Sequence, residues 1–361
     1  MDLNDIILKL QSSIELDFEE RAEIFTVYKE RLEQIIVSDS KNIEAFCLLA
    51  MILCELREDT NQSLKVLEEC YDKNKDNFSN DSYALWATDI AYFYLEECGK
   101  EKEQQAVELL QNAVFHNSKF PNTYYALGKY YFENKRFEMA SEWFHKAFIN
   151  SEKRIYSYCE AVSLLADSRL EEGIKILESL YVYPFDNEEQ DAKIALTLGR
   201  ELALKGDIKR AKEIARLLMK TSYQEFDFDI DEMADYLYIL KDYKECVDLY
   251  DRCNYLEDAS WLNKYFYSLK QLGKFEEALE KLHDITEKIK LDVLEKQSNT
   301  SDFEEEEDLE YYISSERKRL DDIWKCYNEI FNEDIVPKAD TYYDILYECY
   351  YIKCPRHYVW K

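Results

Sequence analysis

A small residue recurs along most of this chain at intervals close to 34 residues, each time near the start of an apolar helical stretch. The seven positions are Ser63, Ala106, Ala140, Gly173, Ala211, Cys246 and Ala278, with successive spacings of 43, 34, 33, 38, 35 and 32 residues. A recurring interval of this length indicates one supersecondary unit stacked many times, because each unit buries its apolar face against its neighbours. The chain is therefore predicted to form a repeat array.

The clearest copy of the unit runs from Pro121 to about Arg154. Before a polar turn at residues 134–136 it carries Tyr124, Leu127, Gly128 and Tyr131, and after the turn it carries Ala140, Phe144 and Ala147. This pattern resembles the tetratricopeptide repeat (TPR), a helix–turn–helix unit of 34 residues. The small residues suit the contact between two helices, and the larger ones recur at helical spacing. The other copies are more divergent, above all the first two.

The resemblance implies an all-α fold: a right-handed α-solenoid of about seven TPR-like helix-turn-helix repeats with N- and C-terminal capping helices. We predict N-terminal capping helices over 1–42, the repeat array over 43–295, an acidic loop over 296–308, and a C-terminal helical cap or divergent repeat over 309–361. Within the caps, helices are expected at 18–37, 309–332 and 339–352. The last two are separated by Val336-Pro337, since proline disfavours helix in the residue before it.

Composition agrees with a helical array and narrows the range of partners. The 361 residues include only 6 glycines and 4 prolines, so tight hairpins must be few, whereas 47% hydrophobic residues suffice for a continuous core. The net charge of −30 disfavours nucleic acid and anionic membranes and would attract a basic polypeptide segment. The alternative, that the acidity only keeps an aromatic-rich protein dissolved, stays open.

The cysteines and the N-terminal residues predict a cytoplasmic location. Ten cysteines are scattered without any C-x-x-C pair, which is typical of reduced core thiols rather than a disulfide framework. The first ten residues lack the basic and apolar regions of a signal peptide, and no stretch approaches about 18 consecutive apolar residues.

A search for catalytic patterns finds none that would support an enzyme. The four histidines are isolated, and the chain lacks H-E-x-x-H, a G-x-x-x-x-G-K-[ST] phosphate loop and a G-x-S-x-G elbow. Cys47 and Cys54, like Cys246 and Cys253, are seven residues apart, about 10.5 Å along a helix, which is too far for one metal ion. We therefore expect no catalytic residues, no metal and no cofactor.

The resemblance also implies where a ligand would lie. In TPR proteins the groove is lined mainly by the first helix of each pair, at five positions of the repeat. In the better-matched units these positions hold Asn122, Tyr125, Lys129, Phe132 and Glu133; Lys193, Leu196, Arg200 and Ala203; Phe228, Asp231, Asp235 and Tyr238; and Ser260, Asn263, Tyr267 and Lys270. The predicted partner-binding residues are Tyr125, Lys129, Phe132, Arg200, Asn263 and Tyr267. Packing of these side chains against adjacent repeats is the alternative interpretation.

These features predict a protein–protein interaction scaffold or adaptor that binds a partner polypeptide, a protein or peptide that could carry a basic segment, in its concave groove. Asp231 and Asp235 disfavour a clamp for a terminal carboxylate. Three alternatives stay open: a regulatory sensor of a peptide or small ligand, an acidic inhibitor or immunity-type protein that occludes a basic enzyme site, and an enzyme on a helical scaffold.

Overall fold

The computed structural model describes residues 3–56, 60–185, 188–220, 230–252, 259–299, 306–339, 342–352 and 354. In these ranges all regular secondary structure is helical. The seventeen helices described are α1 (Leu3–Ser12), α2 (Phe18–Ser38), α3 (Ile43–Glu55), α4 (Thr60–Asn74), α5 (Asn80–Glu96), α6 (Lys100–Phe115), α7 (Pro121–Glu133), α8 (Phe137–Ser151), α9 (Arg154–Ala166), α10 (Leu170–Leu180), α11 (Glu188–Lys205), α12 (Ile208–Leu218), α13 (Ile230–Ile239), α14 (Tyr243–Tyr250), α15 (Ala259–Gln271), α16 (Phe275–Ser298) and α17 (Glu306–Phe331).

Helices α3 to α16 form seven consecutive pairs, one for each predicted unit. Each small marker residue lies in the second helix of its pair and is buried. In the clearest unit, a Cβ placed on Gly128 of α7 would lie 2.6 Å from Cδ1 of Phe144 on α8, so only glycine permits this close approach. The prediction of an all-α array of TPR-like repeats is confirmed, as are the helices expected at 18–37 and 309–332.

In five successive pairs, the same turn connects the first helix to the second. The residue two positions before the second helix has a positive φ in each: Lys135 (56°), Ser168 (65°), Gly206 (93°), Lys241 (60°) and Gly273 (73°). The following N–H then donates to the carbonyl five residues back, as from Asp207 to Leu202 at 2.8 Å. This is the Schellman motif, which satisfies carbonyls at the end of the first helix.

By its internal contacts the chain divides into two compact units. The first comprises Met1–Ile176 together with Tyr343–Lys361, and the second comprises Leu177–Tyr342. The first unit therefore combines helices α1 to α9 with residues from far along the chain. The second unit contains helices α11 to α17 and the residues that follow α17.

The second C-terminal helix, expected at 339–352, is not formed: the described residues 342–352 contain no helix. The prediction was wrong because the peptide groups of Leu346, Glu348, Cys349 and Ile352 bond to side chains of the repeat helices instead. Aromatic and β-branched residues, frequent here, also have lower helix propensity than leucine or alanine. A tertiary surface that supplies these hydrogen bonds outweighs the local preference.

The acidic connection is helical at both of its edges. Helix α16 continues to Ser298, and α17 begins at Glu306, so that Glu307 and Asp308 lie in the first turn of α17. Carboxylates are favourable there because the helix N-terminus carries a partial positive charge. Residues 300–305 of the expected loop lie outside the described residues, and the four-part domain division stays a prediction.

The described helices include none that could cross a membrane, since none combines the necessary length with an apolar sequence.

Substitutions at two residues of this turn should change the free energy of unfolding in opposite directions. Replacing Gly206 with Ala should lower the free energy of unfolding by about 1–2 kcal/mol, because a Cβ is strained at positive φ. Replacing Lys241 with Gly should raise it by about 0.5–1 kcal/mol, the relief of strain exceeding the entropic cost of glycine. Urea unfolding curves measure both changes. Lys241→Ala is the control: it retains the Cβ, so stabilisation by this variant as well would contradict the explanation.

Candidate functional site

Residues 343–352, which we call the C-terminal segment, lie on the first helices of the pairs in the first unit. The Cys159 thiol on α9 donates to the Leu346 carbonyl at 3.5 Å. Further along the segment, Asp89 on α5 accepts the Ile352 N–H at 2.8 Å, and the Tyr351 hydroxyl donates to the Cys47 carbonyl on α3. As its residue numbers rise, the segment crosses α9, α7, α5 and α3 in reverse order.

The distance covered requires a nearly extended backbone. From α9 to α5 there are two helix-to-helix steps of about 8–10 Å each, roughly 16–20 Å in total. The six-residue separation between Leu346 and Ile352 spans about 20 Å when extended but only about 9 Å as a helix. A helical segment would lose contact with one end of this surface, which is a second reason why the expected helix does not form.

Two side chains of α7 bind the backbone of the segment. The Tyr125 hydroxyl donates to the Leu346 carbonyl at 3.0 Å and accepts the Glu348 N–H at 2.8 Å. The Asn122 amide donates to the Cys349 carbonyl at 3.3 Å. Burial raises the pKa of Tyr125 well above its usual value, so the phenol keeps the proton that it donates. These contacts recognise peptide groups, which every sequence carries.

Tyr350 occupies an aromatic pocket with a polar end. Its ring centroid lies 5.2 Å from that of Tyr92 and 6.4 Å from that of Tyr125, and its side chain is fully buried. Its hydroxyl donates to Glu96 Oε1 at 2.7 Å, and Lys129 Nζ lies 3.0 Å from the same oxygen. The pocket therefore combines ring packing with a hydrogen bond that selects tyrosine over phenylalanine.

The neighbouring Tyr351 fills a second pocket. Its ring lies 5.5 Å from Tyr92 and 5.7 Å from Phe93, in edge-to-face contact with both. Only 2% of the residue is exposed. In the opposite direction along the segment, Glu348 Oε1 lies 2.5 Å from Lys153 Nζ at the edge of the groove. The side chains of the segment described so far thus comprise one carboxylate in an ion pair and two packed aromatic rings.

Asp89 is a fully buried carboxyl group beneath the end of the segment. Burial raises its pKa well above the usual value, an effect only partly opposed by the hydrogen bonds from the Ile352 N–H and the Cys47 thiol. The other carboxyl oxygen, Oδ2, is buried without a hydrogen-bond partner among the described residues. A protonated carboxyl avoids an unpaired buried charge at this position.

In the second unit, the chain after α17 is held in the same manner. Lys270 on α15 donates to Asp334 Oδ1 at 2.6 Å, and the Tyr238 hydroxyl on α13 donates to the Pro337 carbonyl at 2.8 Å. Arg200 on α11, 4% exposed, donates from Nη2 to the Tyr342 carbonyl at 2.9 Å. Here too the chain crosses the first helices in reverse order.

The six predicted partner-binding residues have different surroundings. Tyr125 and Arg200 contact the chain that lies on their own unit, and Lys129 pairs with Glu96, which accepts a hydrogen bond from Tyr350. The half-buried Phe132 packs edge-on against Phe137, with centroids 5.2 Å apart. The remaining two, Asn263 and Tyr267, lie in the second unit.

Of these two, Tyr267 packs against Tyr238 and Tyr243, at 5.9 and 6.1 Å, as the packing alternative expects. Asn263 Oδ1 is buried without a hydrogen-bond partner among the described residues. The structure thus brings two of the six into direct contact with the returning chain. Binding of a separate partner by any of the six stays a prediction.

Several residues of the site are not predicted from the sequence. Tyr350 and Tyr351 fall within the helix expected at 339–352. The α5 residues Tyr92 and Glu96 lie in a unit whose sequence is too divergent for its groove positions to be assigned. Asp89 did carry a signal, since it is one carboxylate inside a long apolar stretch of α5 and so needed a buried partner.

The described residues contain no group of three or more histidine, cysteine, aspartate or glutamate side chains that could hold a metal ion. The nine described cysteines are free thiols. The polar contacts of the groove are hydrogen bonds and ion pairs with another stretch of polypeptide.

Comparison with known proteins finds similarity of fold to solved structures but no match in sequence. No protein-family model matches the chain, and no curated protein matches it significantly in sequence. Among solved structures, the apo form of RapI is similar over 93% of this chain and 100% of its own, with a TM-score of 0.55 and 11% identity. Yeast Tom70 is similar over 92% of this chain and 67% of its own (TM-score 0.46, 12% identity).

A third structure, YrrB, is described as a TPR protein with an unusual peptide-binding site. It is similar over 53% of this chain and 92% of its own, with a TM-score of 0.42 and 14% identity. At these identities the likeness is one of fold alone. The likeness to RapI, together with the seven helix pairs, confirms the TPR-like resemblance at the level of the fold.

The two hydrogen bonds of Tyr125 are tested by Tyr125→Phe, which keeps the ring and removes the hydroxyl. We expect the segment to be held about 1–3 kcal/mol more weakly, because a buried carbonyl and N–H lose their partner. Amide exchange at residues 346–352 should become roughly 10- to 100-fold faster, with helical circular dichroism unchanged. The matched control is Tyr124→Phe, whose hydroxyl bonds to Ser118 instead. Equal acceleration in both variants would contradict the assignment.

Asp89 gives a pH-dependent prediction. The folded state retains its proton to a higher pH than the unfolded state, so the contribution of Asp89 to stability falls as pH rises from about 4 towards the raised pKa. Asp89→Asn keeps an acceptor for the Ile352 N–H but cannot ionise. The variant should therefore gain stability relative to wild type as pH rises above about 4, measured by urea unfolding. Asp81→Asn, exposed on the same helix, is the control; the same trend there would exclude Asp89 as the cause.

Proposed function

We propose that this protein is a TPR-like interaction scaffold that binds a partner polypeptide along the first helices of its repeat pairs. The observation that carries the proposal is the pair of hydrogen bonds at the Tyr125 hydroxyl, which donates to the Leu346 carbonyl and accepts the Glu348 N–H. A surface that satisfies both the donor and the acceptor of an extended backbone can hold a segment from another protein by the same contacts.

The function proposed is binding rather than catalysis, because the groove uses hydrogen bonds and aromatic pockets arranged along a polypeptide. A backbone-directed array gives affinity, and pockets for particular side chains give specificity. The residues proposed to contact the partner are Tyr125, Lys129, Phe132, Arg200, Asn263 and Tyr267.

The net charge supports a further detail of the partner. At −30, the protein would attract a partner with a basic region, which would approach faster at low ionic strength. This basic region would meet the acidic outer surface, because Lys153 at the edge of the groove pairs with a carboxylate of the segment that lies there. The free thiols favour a reducing compartment, and we place the protein in the cytoplasm.

Site-specific photo-crosslinking tests the proposal in the native cell. A benzophenone amino acid replaces Phe132, a half-buried groove position, and in a matched control it replaces Phe115, which is 81% exposed at the end of α6. We expect a discrete polypeptide adduct from position 132 and none from position 115. Mass spectrometry of the adduct identifies the crosslinked peptide.

Two results would count against the proposed function. Labelling that is equal at positions 132 and 115 would indicate non-specific contact, and no adduct at 132 would indicate that no partner approaches this face. Salt provides an independent check on the basic region. The yield of adduct after a brief exposure should fall as ionic strength rises, since screening shortens the Debye length to about 8 Å at physiological salt.

A further inference from the structure

We propose that the C-terminal segment is an internal ligand that occupies the peptide site, and that an external partner binds by displacing it with the same side-chain pattern. The pattern is a carboxylate, a small buried residue, then two adjacent tyrosines, as in Glu348, Cys349, Tyr350 and Tyr351. This inference rests on the proposed function and deepens it, because it names the class of peptide that the groove accepts.

The contacts of the segment are those of a ligand lying on a formed surface. The residues that hold it are 187 to 304 positions away in sequence, and the contacts include hydrogen bonds from side chains to peptide groups, ring packing and an ion pair. Residues 343–348 are exposed or half-buried, with Tyr347 52% exposed, whereas residues 349–352 are all buried. The segment therefore lies at the surface where it begins and is fully covered further along.

Three neighbouring contacts define the pattern and its register. Lys153 contacts the carboxylate of Glu348, and Glu96 accepts the hydroxyl proton of Tyr350. The Tyr351 ring then packs between Tyr92 and Phe93. A shift of one residue would bring Tyr347 or Cys349 to Lys153 and would place Cys349 or Ile352 in one of the two aromatic pockets, so the three contacts together fix one alignment.

Intramolecular attachment sets what a partner must overcome. A tethered ligand acts at an effective concentration in the millimolar range. The site is therefore open for only a fraction of the time, and the apparent affinity for an external peptide is reduced by that fraction. Weakening the internal copy without changing the groove should raise the affinity for the same sequence added in trans.

The experiment uses the full-length chain and a fluorescein-labelled synthetic peptide with the sequence of residues 342–354. Fluorescence anisotropy compares wild type with Tyr350→Ala/Tyr351→Ala, which weakens the internal copy and leaves the groove residues intact. We expect the double variant to bind the peptide at least about tenfold more tightly than wild type. Adding Tyr125→Phe to the double variant should reverse most of that gain. Equal affinity for wild type and the double variant, or no binding to either, would overturn the proposal.

A charge-swap series keeps the test decisive should the double variant lose helical circular dichroism. Lys153 is 46% exposed at its side chain, so Lys153→Glu should fold. In the Lys153→Glu variant, the new carboxylate repels Glu348 of the internal segment. We expect this variant to bind a peptide with lysine at the position of Glu348 more tightly than the natural peptide. Preference for the natural peptide would contradict the assigned register. A lysine- and arginine-rich peptide represents the alternative class of ligand. If it bound to wild type more tightly than the natural peptide, the proposed pattern would be contradicted.

The two proposals fail differently. An adduct at position 132, with no peptide binding by the double variant, would overturn the internal-ligand inference and leave the scaffold function standing. Peptide binding by the double variant, with no adduct at position 132 in cells, would support the internal ligand and count against a cellular partner at this face.

Discussion

A buried peptide group must find a hydrogen-bond partner, and this requirement governs the structure of the groove. Within the repeats the helices satisfy their own backbone. The C-terminal segment forms no helix, so side chains of the first helices must supply its donors and acceptors. Tyr125 provides one of each, and Asn122 and Asp89 extend the series along the segment. The same requirement explains why polar side chains occur on otherwise apolar helices.

Electrostatics at the groove differ from those of the whole molecule. The net charge is −30, yet the groove cations form local pairs, Lys129 with Glu96 and Lys153 with Glu348. Ion pairs near the surface add little stability, and their main effect is on alignment. The long-range field would act on an approaching partner, whereas the local pairs would set the register of whatever lies in the groove.

The repeats could be predicted from sequence because their signal is local and periodic. The seven markers, from Ser63 to Ala278, each lie in the second helix of a pair. At the groove, phase alone identified Tyr125 and Arg200, which do contact polypeptide. The phase of the repeats did not identify the C-terminal segment as the polypeptide that they contact, because the amphipathic pattern of 339–352 is equally compatible with a helix. Its conformation depends on partners 187 or more residues away, such as Cys159 for Leu346, and no local pattern records them.

The return of the chain to its first unit has a consequence for synthesis. Domains fold as they leave the ribosome, the N-terminal part first, at about 5–20 residues per second. Tyr351 bonds to the Cys47 carbonyl across 304 positions, so α3 to α9 are made long before the segment that lies on them. For some tens of seconds the nascent first unit therefore presents its aromatic pockets uncovered. During that interval a partner or a chaperone meets the groove without an internal competitor.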